Sequence, residues 1–256
     1  MTKGLSIKFK SYKETIPKLL LIIKLDKEIK KHKRIILKPF LRNENSRNTD
    51  VSFVEEILKF CLENKEPDSE IFIAEGSDGQ ETLEVLEKKG YRDLAERYSI
   101  GLIDLNTSET EEILDGKFLK FEKIFYPKIL SDSFIISLPV LAENNETEMQ
   151  GALENMLGVF PAKHYKGFFS ALKTKIRKWP AKYAIHDILR CKMPQFAVID
   201  ASEQGVILAG IPLDMDKQAA KLLNKDWKSI SHLRLVDESF SSEPSKISAG
   251  SQNLSK

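Results

Sequence analysis

Apolar residues in this chain fall into short unbroken runs, separated by stretches in which they recur every three or four positions. The runs read as strands buried on both faces, and the periodic stretches read as amphipathic helices. Their alternation predicts a largely parallel sheet covered by helices. Leu5 to Lys10 makes a first strand. Ile16, Leu19, Leu20, Ile23 and Ile29 mark a helix running towards His32, with Pro17 tolerated in its first turn. The run RIILKPFL, Arg34 to Leu41, is a buried strand that closes near Pro39, because proline gives no N–H to a ladder.

Asn43 to Asp50 is polar and reads as a loop. Asp50 or Ser52 can cap a helix carrying Val54, Ile57, Leu58, Cys61 and Leu62. Glu70 to Ala74 is a strand leading into a loop with two glycines. Thr82 to Lys89 is helical and closed by Gly90, Tyr91 to Tyr98 adds a turn or two, and Gly101 to Asn106 is a further strand. From Thr107 to Ser131 the periodicity weakens, with an edge strand at Lys123 to Tyr126. Ser133 to Leu141 predicts a central strand and Met149 to Phe160 a helix. Ala162 to Cys191 is basic, aromatic and mostly helical, suited to a lid or subdomain. Phe196 to Ser202 and Gly205 to Gly210 can pair as a hairpin, and Lys217 to Asn224 is a closing helix. From Phe240 the composition shifts to Ser, Lys, Gly, Asn and Gln, which predicts disorder. The expected architecture is α/β, a central mostly parallel sheet flanked by helices. Residues 1–239 would form one domain with a basic helical insertion at 161–193, followed by a disordered C-terminal tail at 240–256.

Hydrophobic residues make up 41% of the chain and charged residues 30%, which fits a packed core beneath a charged surface. Forty basic residues against thirty-eight acidic ones leave a formal charge of +2, so attraction to nucleic acid or anionic lipid would have to come from a local patch. The opening MTKGLSIKF has no apolar signal region, and Leu19 to Ile23 is far short of the roughly 20 residues a span needs. These features point to a cytoplasmic protein with no membrane partner. Cys61 and Cys191 each lack a neighbouring cysteine, which suits buried free thiols better than metal ligands.

Four constellations can carry chemistry, and each has a plainer reading. Lys38 ends a strand, where open α/β sheets gather ligands, with Arg42 and Arg47 close by. It can hold a phosphate or carboxylate, or simply face solvent. Glu75-Gly76-Ser77-Asp78-Gly79 follows a strand and can present amides to an anion, or form an ordinary strand-to-helix turn; it is not a P-loop. Glu143, Glu146 and Glu148 can ligate a hard cation, or sit at a solvated helix start favoured by the dipole. Lys163 to Lys182 interleaves seven cations with Tyr165, Phe168, Phe169 and Trp179 and carries no acid. That suits a nucleic-acid strand, or an amphipathic helix that solvates its lysines. His164 and His186 are candidate acid–base residues, although no zinc spacing and no G-x-S-x-G elbow occurs; a Ser-His-Asp arrangement assembled in space stays open.

Taken in order, RIILKPFL, the helix from Asp50, the stretch IFIAEGSDGQ onward to GLIDLN, SFIISLPVL, GALENMLGVFP, FAVIDAS and ILAGIPLDMDKQAAKLL resemble the family called domain of unknown function 362. The resemblance covers most of residues 30–235. Members often occur with ferredoxin-like iron–sulfur modules, but no cluster of cysteines is present here. Other departures concern charge. Phe40 stands where the family has an asparagine after Lys-Pro, Ala142 and Asn144 stand where it has a lysine and a histidine, and Glu154 precedes Asn155 where it has a lysine. The glycine-proline stretch expected after Asp200 is missing. Lys38, Glu75, Asn155, Asp200 and Asp216 match, which implies a site that has lost most of its cations.

Two functional classes follow. One is a small-molecule or anion-binding protein, or a metabolic enzyme, with Lys38, Glu75, Ser77, Asn155, His164 and Asp200 lining a pocket at the strand ends. No catalytic group, metal or cofactor is assigned. The other is a degenerate module that binds a protein or RNA through Lys163 to Lys182.

Overall fold

The computed structural model describes residues 4–42 and 47–241. The strands are β1 (Gly4–Lys8), β2 (Arg34–Pro39), β3 (Glu70–Glu75), β4 (Gly101–Asp104), β5 (Thr110–Ile113), β6 (Ile124–Pro127), β7 (Phe134–Leu138), β8 (Ala142–Asn144), β9 (Glu148–Gln150), β10 (Phe196–Ala201) and β11 (Val206–Gly210). Seven of them form one sheet in the order β1-β11-β10-β7-β2-β3-β4. β10, β7, β2, β3 and β4 run parallel, and only β11 is antiparallel to its two neighbours. The apolar runs therefore become a mostly parallel central sheet, as their lack of alternation requires.

Both faces of the sheet are covered. Ile35, Leu37, Ile73, Ile136 and Val198 pack under the helices Tyr12–Ile22 and Val51–Asn64. Ile36, Ala74, Ile135, Ala197 and Ile199 pack under Ala181–Cys191, Pro212–Leu222 and Ser231–Ser241. The side-chain period of two sorts neighbouring residues onto opposite layers. Lys38, in step with Ile36, belongs to the second layer. Asp200, between Ile199 and Ala201, belongs to the first.

Several expectations need correction. The first helix breaks at Lys24, which is left-handed (φ 63°), and resumes as Leu25–Ile29. Met149 to Phe160 is not one helix: Glu148–Gln150 pairs with Ala142–Asn144 in a small hairpin, and a 3-10 turn covers Glu154–Val159. Here Asp216 accepts from the amides of Ala152 (2.7 Å) and Leu153 (2.9 Å), and a Cβ at Gly151 would lie 2.6 Å from that carboxylate. The basic segment is helical only at Ala162–Tyr165 and Ala181–Cys191, with a single 3-10 turn at Thr174–Arg177 between them. The helix Ser231–Ser241 was not foreseen and takes in Phe240, where the tail was expected to begin. The remainder of that expectation lies outside the described residues, as does residues 43–46 of the expected loop.

Candidate functional site

Strand order turns around β2: the chain goes from β2 to β3 on one side and later places β7 on the other. Such a switch point opens a crevice at the carboxyl ends of the strands. Lys38 on β2 stands opposite Ser137 on β7 at that point. Lys38 is completely buried, and its Nζ donates to both Glu75 oxygens (3.1 and 3.0 Å) and to Asn155 Oδ1 (2.8 Å). Asn155 Nδ2 in turn donates to Lys38 O (2.9 Å) and Ser137 Oγ (3.0 Å), so one amide side chain bridges the two strands. Glu75 also accepts from the amides of Gly76 (2.8 Å) and Leu41 (3.4 Å). Burial pulls the Lys38 ammonium below the usual lysine range, opposed by the Glu75 carboxylate. Position 158 has to be glycine for this packing, since a Cβ there would lie 2.2 Å from Glu75 Oε1.

The segment between Tyr165 and Pro180 forms a cover over this cluster. Lys173 threads its side chain inward, fully buried, and Nζ donates to the carbonyls of Gly76 (2.7 Å) and Gly158 (3.1 Å). Its own amide donates to Asp78 Oδ1 (2.8 Å). Among the described residues no carboxylate lies within ion-pairing distance of this ammonium, and burial pulls its pKa down to about 7 against the pull of Glu75 and Asp78. Arg177, from the same cover, pairs with Asp78 (2.5 Å) and with Glu146 (2.8 Å), and Arg42 meets the other Glu146 oxygen at 2.9 Å.

These groups enclose a cavity of about 30 Å³ lined by Arg42, Glu75, Asp78, Glu146, Glu154, Asn155, Lys173 and Arg177 together with Phe40, Leu157 and Ile176. Such a volume holds a water or two. Glu154 is buried on its wall, and its Oε2 finds no hydrogen-bond partner. Burial pushes this carboxyl up to about 8, over the opposing fields of Arg42 and Lys38, so it is protonated at neutral pH and able to donate. Asp216 lies one shell further out: its grip on Ala152 and Leu153 sets the turn that carries Glu154 and Asn155. The chemistry open to this arrangement is the holding of a small anion by guanidinium and ammonium groups, with one neutral carboxyl as a proton donor.

Of the residues singled out from the sequence, Lys38, Glu75 and Asn155 converge. Ser77 lies beside them, but its hydroxyl is spent on Leu41 O (2.8 Å). Asp200 projects to the opposite layer, where Tyr12 donates to it at 2.6 Å and the Ser202 amide at 3.0 Å. His164 stacks flat on Phe125 (centroids 4.0 Å apart) and meets Thr110 Oγ1 at 3.2 Å, so it belongs to the β5–β6 ribbon. Arg47 is drawn off to Glu203. The three acids expected to share a cation separate: Glu146 to the arginines, Glu148 to the Ser231 amide (3.1 Å), Glu143 towards Lys225 (3.8 Å). No group of three or more metal-ligating side chains occurs among the described residues. The sequence offers Lys173 and Arg177 only as members of a basic segment, either a face for a protein or RNA or a solvated helix face; nothing in their spacing tells which lysine turns inward.

A Ser-His-Asp chain does assemble elsewhere. His186 Nδ1 meets Asp187 Oδ1 at 2.7 Å, and its Nε2 meets Ser239 Oγ at 2.8 Å. Asp187 is already committed to the amides of Leu119, Lys120 and Phe121 (2.8, 2.9 and 3.1 Å). His186 is wholly buried, and Ser239 lies within a helix whose amides are used along its own axis. The geometry is that of a structural clasp between helices.

A family model described as a domain of unknown function, DUF362, matches residues 35–210. The chain belongs to the DUF362 family. The match runs from β2 to the end of β11 and so takes in every strand that builds the DUF362 sheet here except β1. Among solved structures, the lactate racemase apoprotein from Thermoanaerobacterium thermosaccharolyticum superposes with a TM-score of 0.53 at 15% identity, over 88% of this chain and 58% of that one. That likeness is one of fold, and this DUF362 chain spans well under two thirds of the racemase. No curated protein matches. No described helix is long and apolar enough to cross a membrane.

Proposed function

We propose that the protein binds a small anionic molecule in the cavity at the β2–β7 switch point. The observation that carries this reading is Lys173. The other cations at the site are neutralised: Lys38 by Glu75, Arg177 by Asp78, and Arg42 by Glu146. Glu154, the remaining acid on the wall, is uncharged at neutral pH. Lys173 is left as a buried amine whose direct partners are carbonyl oxygens; the carboxylates that attract it, Glu75 and Asp78, are paired with other cations, and its pKa of about 7 leaves it only partly charged at neutral pH. A buried charge without a counter-ion is costly, and a bound anion would remove that cost. Placement at a topological switch point supports the same reading. The sequence suggested a site stripped of cations; Lys173 and Arg177, supplied by the cover, offset that loss.

The test is a thermal-shift screen with inorganic phosphate, sulfate and small carboxylates. A ligand at about a hundred times its Kd adds about 2.7 kcal/mol, which for a chain of this size raises Tm by about 5–10 °C. Lys173→Met should abolish the shift. No response to any anion at saturation would overturn the proposal.

A second reading, an interaction module, draws on the outer side of the cover. Phe168 and Phe169 are 94% and 96% exposed, an unusual placement for adjoining rings. In this reading a protein or RNA docks on them and on the lysines around them. The basic face is thinner than its sequence implied, because Lys173 is buried, Arg177 is ion-paired, and Lys163 and Lys175 are tied to the carbonyls of Ser108 and His164. Charge reversal at Lys175 together with Phe168→Ser should weaken any such binding.

A further inference from the structure

The mouth of the cavity shows what kind of group it takes. Two guanidinium groups from different parts of the chain, Arg42 after β2 and Arg177 in the cover, converge on one carboxylate, Glu146, each holding a separate oxygen (2.9 and 2.8 Å). Planar two-point recognition of this kind matches a carboxylate closely. The carboxylate belongs to the chain itself. It rides on the turn of the β8–β9 hairpin, whose two three-residue strands pair with each other. Asn144 Oδ1 shapes that turn by accepting from the amides of Glu146 (2.8 Å) and Thr147 (3.1 Å).

All three partners are about a quarter to a third exposed, so the Glu146 side chain has solvent to rotate into. Arg177 would keep Asp78 when Glu146 leaves, and therefore stays in place. Behind the clamp lie the cavity and the buried, unpartnered Glu154 oxygen on its wall. Departure of Glu146 enlarges the cavity by its own side chain and leaves two positive forks facing that space.

We propose that Arg42 and Arg177 form a carboxylate clamp, that Glu146 fills this clamp from within, and that the ligand of the cavity is a short-chain carboxylic acid whose carboxylate displaces Glu146. The inference rests on the anion-binding reading above and names its substrate class. It also makes the β8–β9 hairpin a self-inhibiting element. The ligand's affinity is lowered by the competition, and the open site is reached only when the hairpin yields. The remainder of the ligand points inward, where an oxygen atom can meet Glu154.

Titration calorimetry on wild type, Glu146→Gln, Glu146→Asp and the double variant Arg42→Gln/Glu146→Gln tests the idea, with acetate, glycolate, succinate and inorganic phosphate as probes. Removing an internal charged competitor should tighten at least one carboxylate by about tenfold or more. Glu146→Asp, which keeps the charge, should gain much less, and the double variant should lose the gain. If wild type binds an anion but Glu146→Gln binds carboxylates no better, the displacement model fails while the anion site stands. A gain confined to phosphate overturns the carboxylate assignment. If no variant binds any of the probes, both proposals fall. Should Glu146→Gln not fold, hydrogen exchange on wild type decides: a saturating carboxylate should speed exchange at residues 145–147, and unchanged rates there refute displacement.

Discussion

Two clusters of buried ionisable side chains lie on the same layer of the sheet and are built to opposite specifications. Around Asp187 every bond is closed. Three amides and the His186 ring satisfy the carboxylate; burial pushes its pKa up, but these four donors outweigh it and hold it below the ordinary aspartate range. Around Lys173 and Glu154 the accounts stay open: an ammonium with no carboxylate, a carboxyl oxygen with no partner, and a void between walls of charge. The first cluster joins the loop at Leu119 to the helices Ala181–Cys191 and Ser231–Ser241. The second ties the cover to the turns at Gly76 and Gly158 through one side chain and leaves other polar atoms unmatched. Satisfied burial indicates structure, whereas unsatisfied burial beside a cavity is what the proposed anion site would use.

The contrast is sharpest in stability. Asp187→Ala leaves three partly buried amides and the buried His186 ring without an acceptor and should cost about 2–4 kcal/mol in urea denaturation. Lys173→Met removes a buried charge but leaves the carbonyls of Gly76 and Gly158 without their donor; the two effects oppose each other, and the net loss should be about 1 kcal/mol, well below that of Asp187→Ala. If Lys173→Met proved as damaging as Asp187→Ala, the two clusters would be of one kind.

Acidity separates them further. An unfolded lysine titrates near 10.4, above the value of about 7 held by Lys173 in the folded chain. Between those values the unfolded chain carries the extra proton, so the Lys173 contribution to stability rises with pH there. For Glu154 the folded value of about 8 lies above the ordinary 4.5, so its contribution falls as pH rises through that window. Each slope is at most about 1.4 kcal/mol per pH unit. The Lys173→Met and Glu154→Gln variants should each erase their own slope in denaturation curves taken across pH. Lys38, Glu75, Asp78 and Asp104 around Lys173, and Arg42, Lys38, Glu146 and Asp216 around Glu154, set the common background. Anion affinity should be flat below about pH 7 and decline above it, as Lys173 gives up its proton. The smallest effect belongs outside both clusters: Phe168→Ser or Phe169→Ser should shift stability by under about 0.5 kcal/mol.

Much of this architecture is legible in the sequence, because strands buried on both faces announce themselves as apolar runs and the loops after them fall at the carboxyl edge. Lys38 and Glu75 are legible that way, whereas Asn155 is legible only through the family resemblance. Asp200 sits at the same edge but one residue out of phase with Ile199, so it faces the wrong layer. The place of His164 is not legible, because a ring stacked on Phe125 looks, in sequence, like any histidine in a basic stretch. Lys173 is the most informative omission. Its burial depends on the carbonyls of Gly76 and Gly158, from two distant turns, and no local spacing encodes that meeting.

The cover that carries Lys173 also carries Phe168 and Phe169, bare rings on its outer rim. One short stretch of backbone thus has an anchor in the interior and a handle in the water. A partner that grasped the handle would pull on the anchor, so under the two proposals above, filling of the site and attachment at the surface would share a single mechanical part.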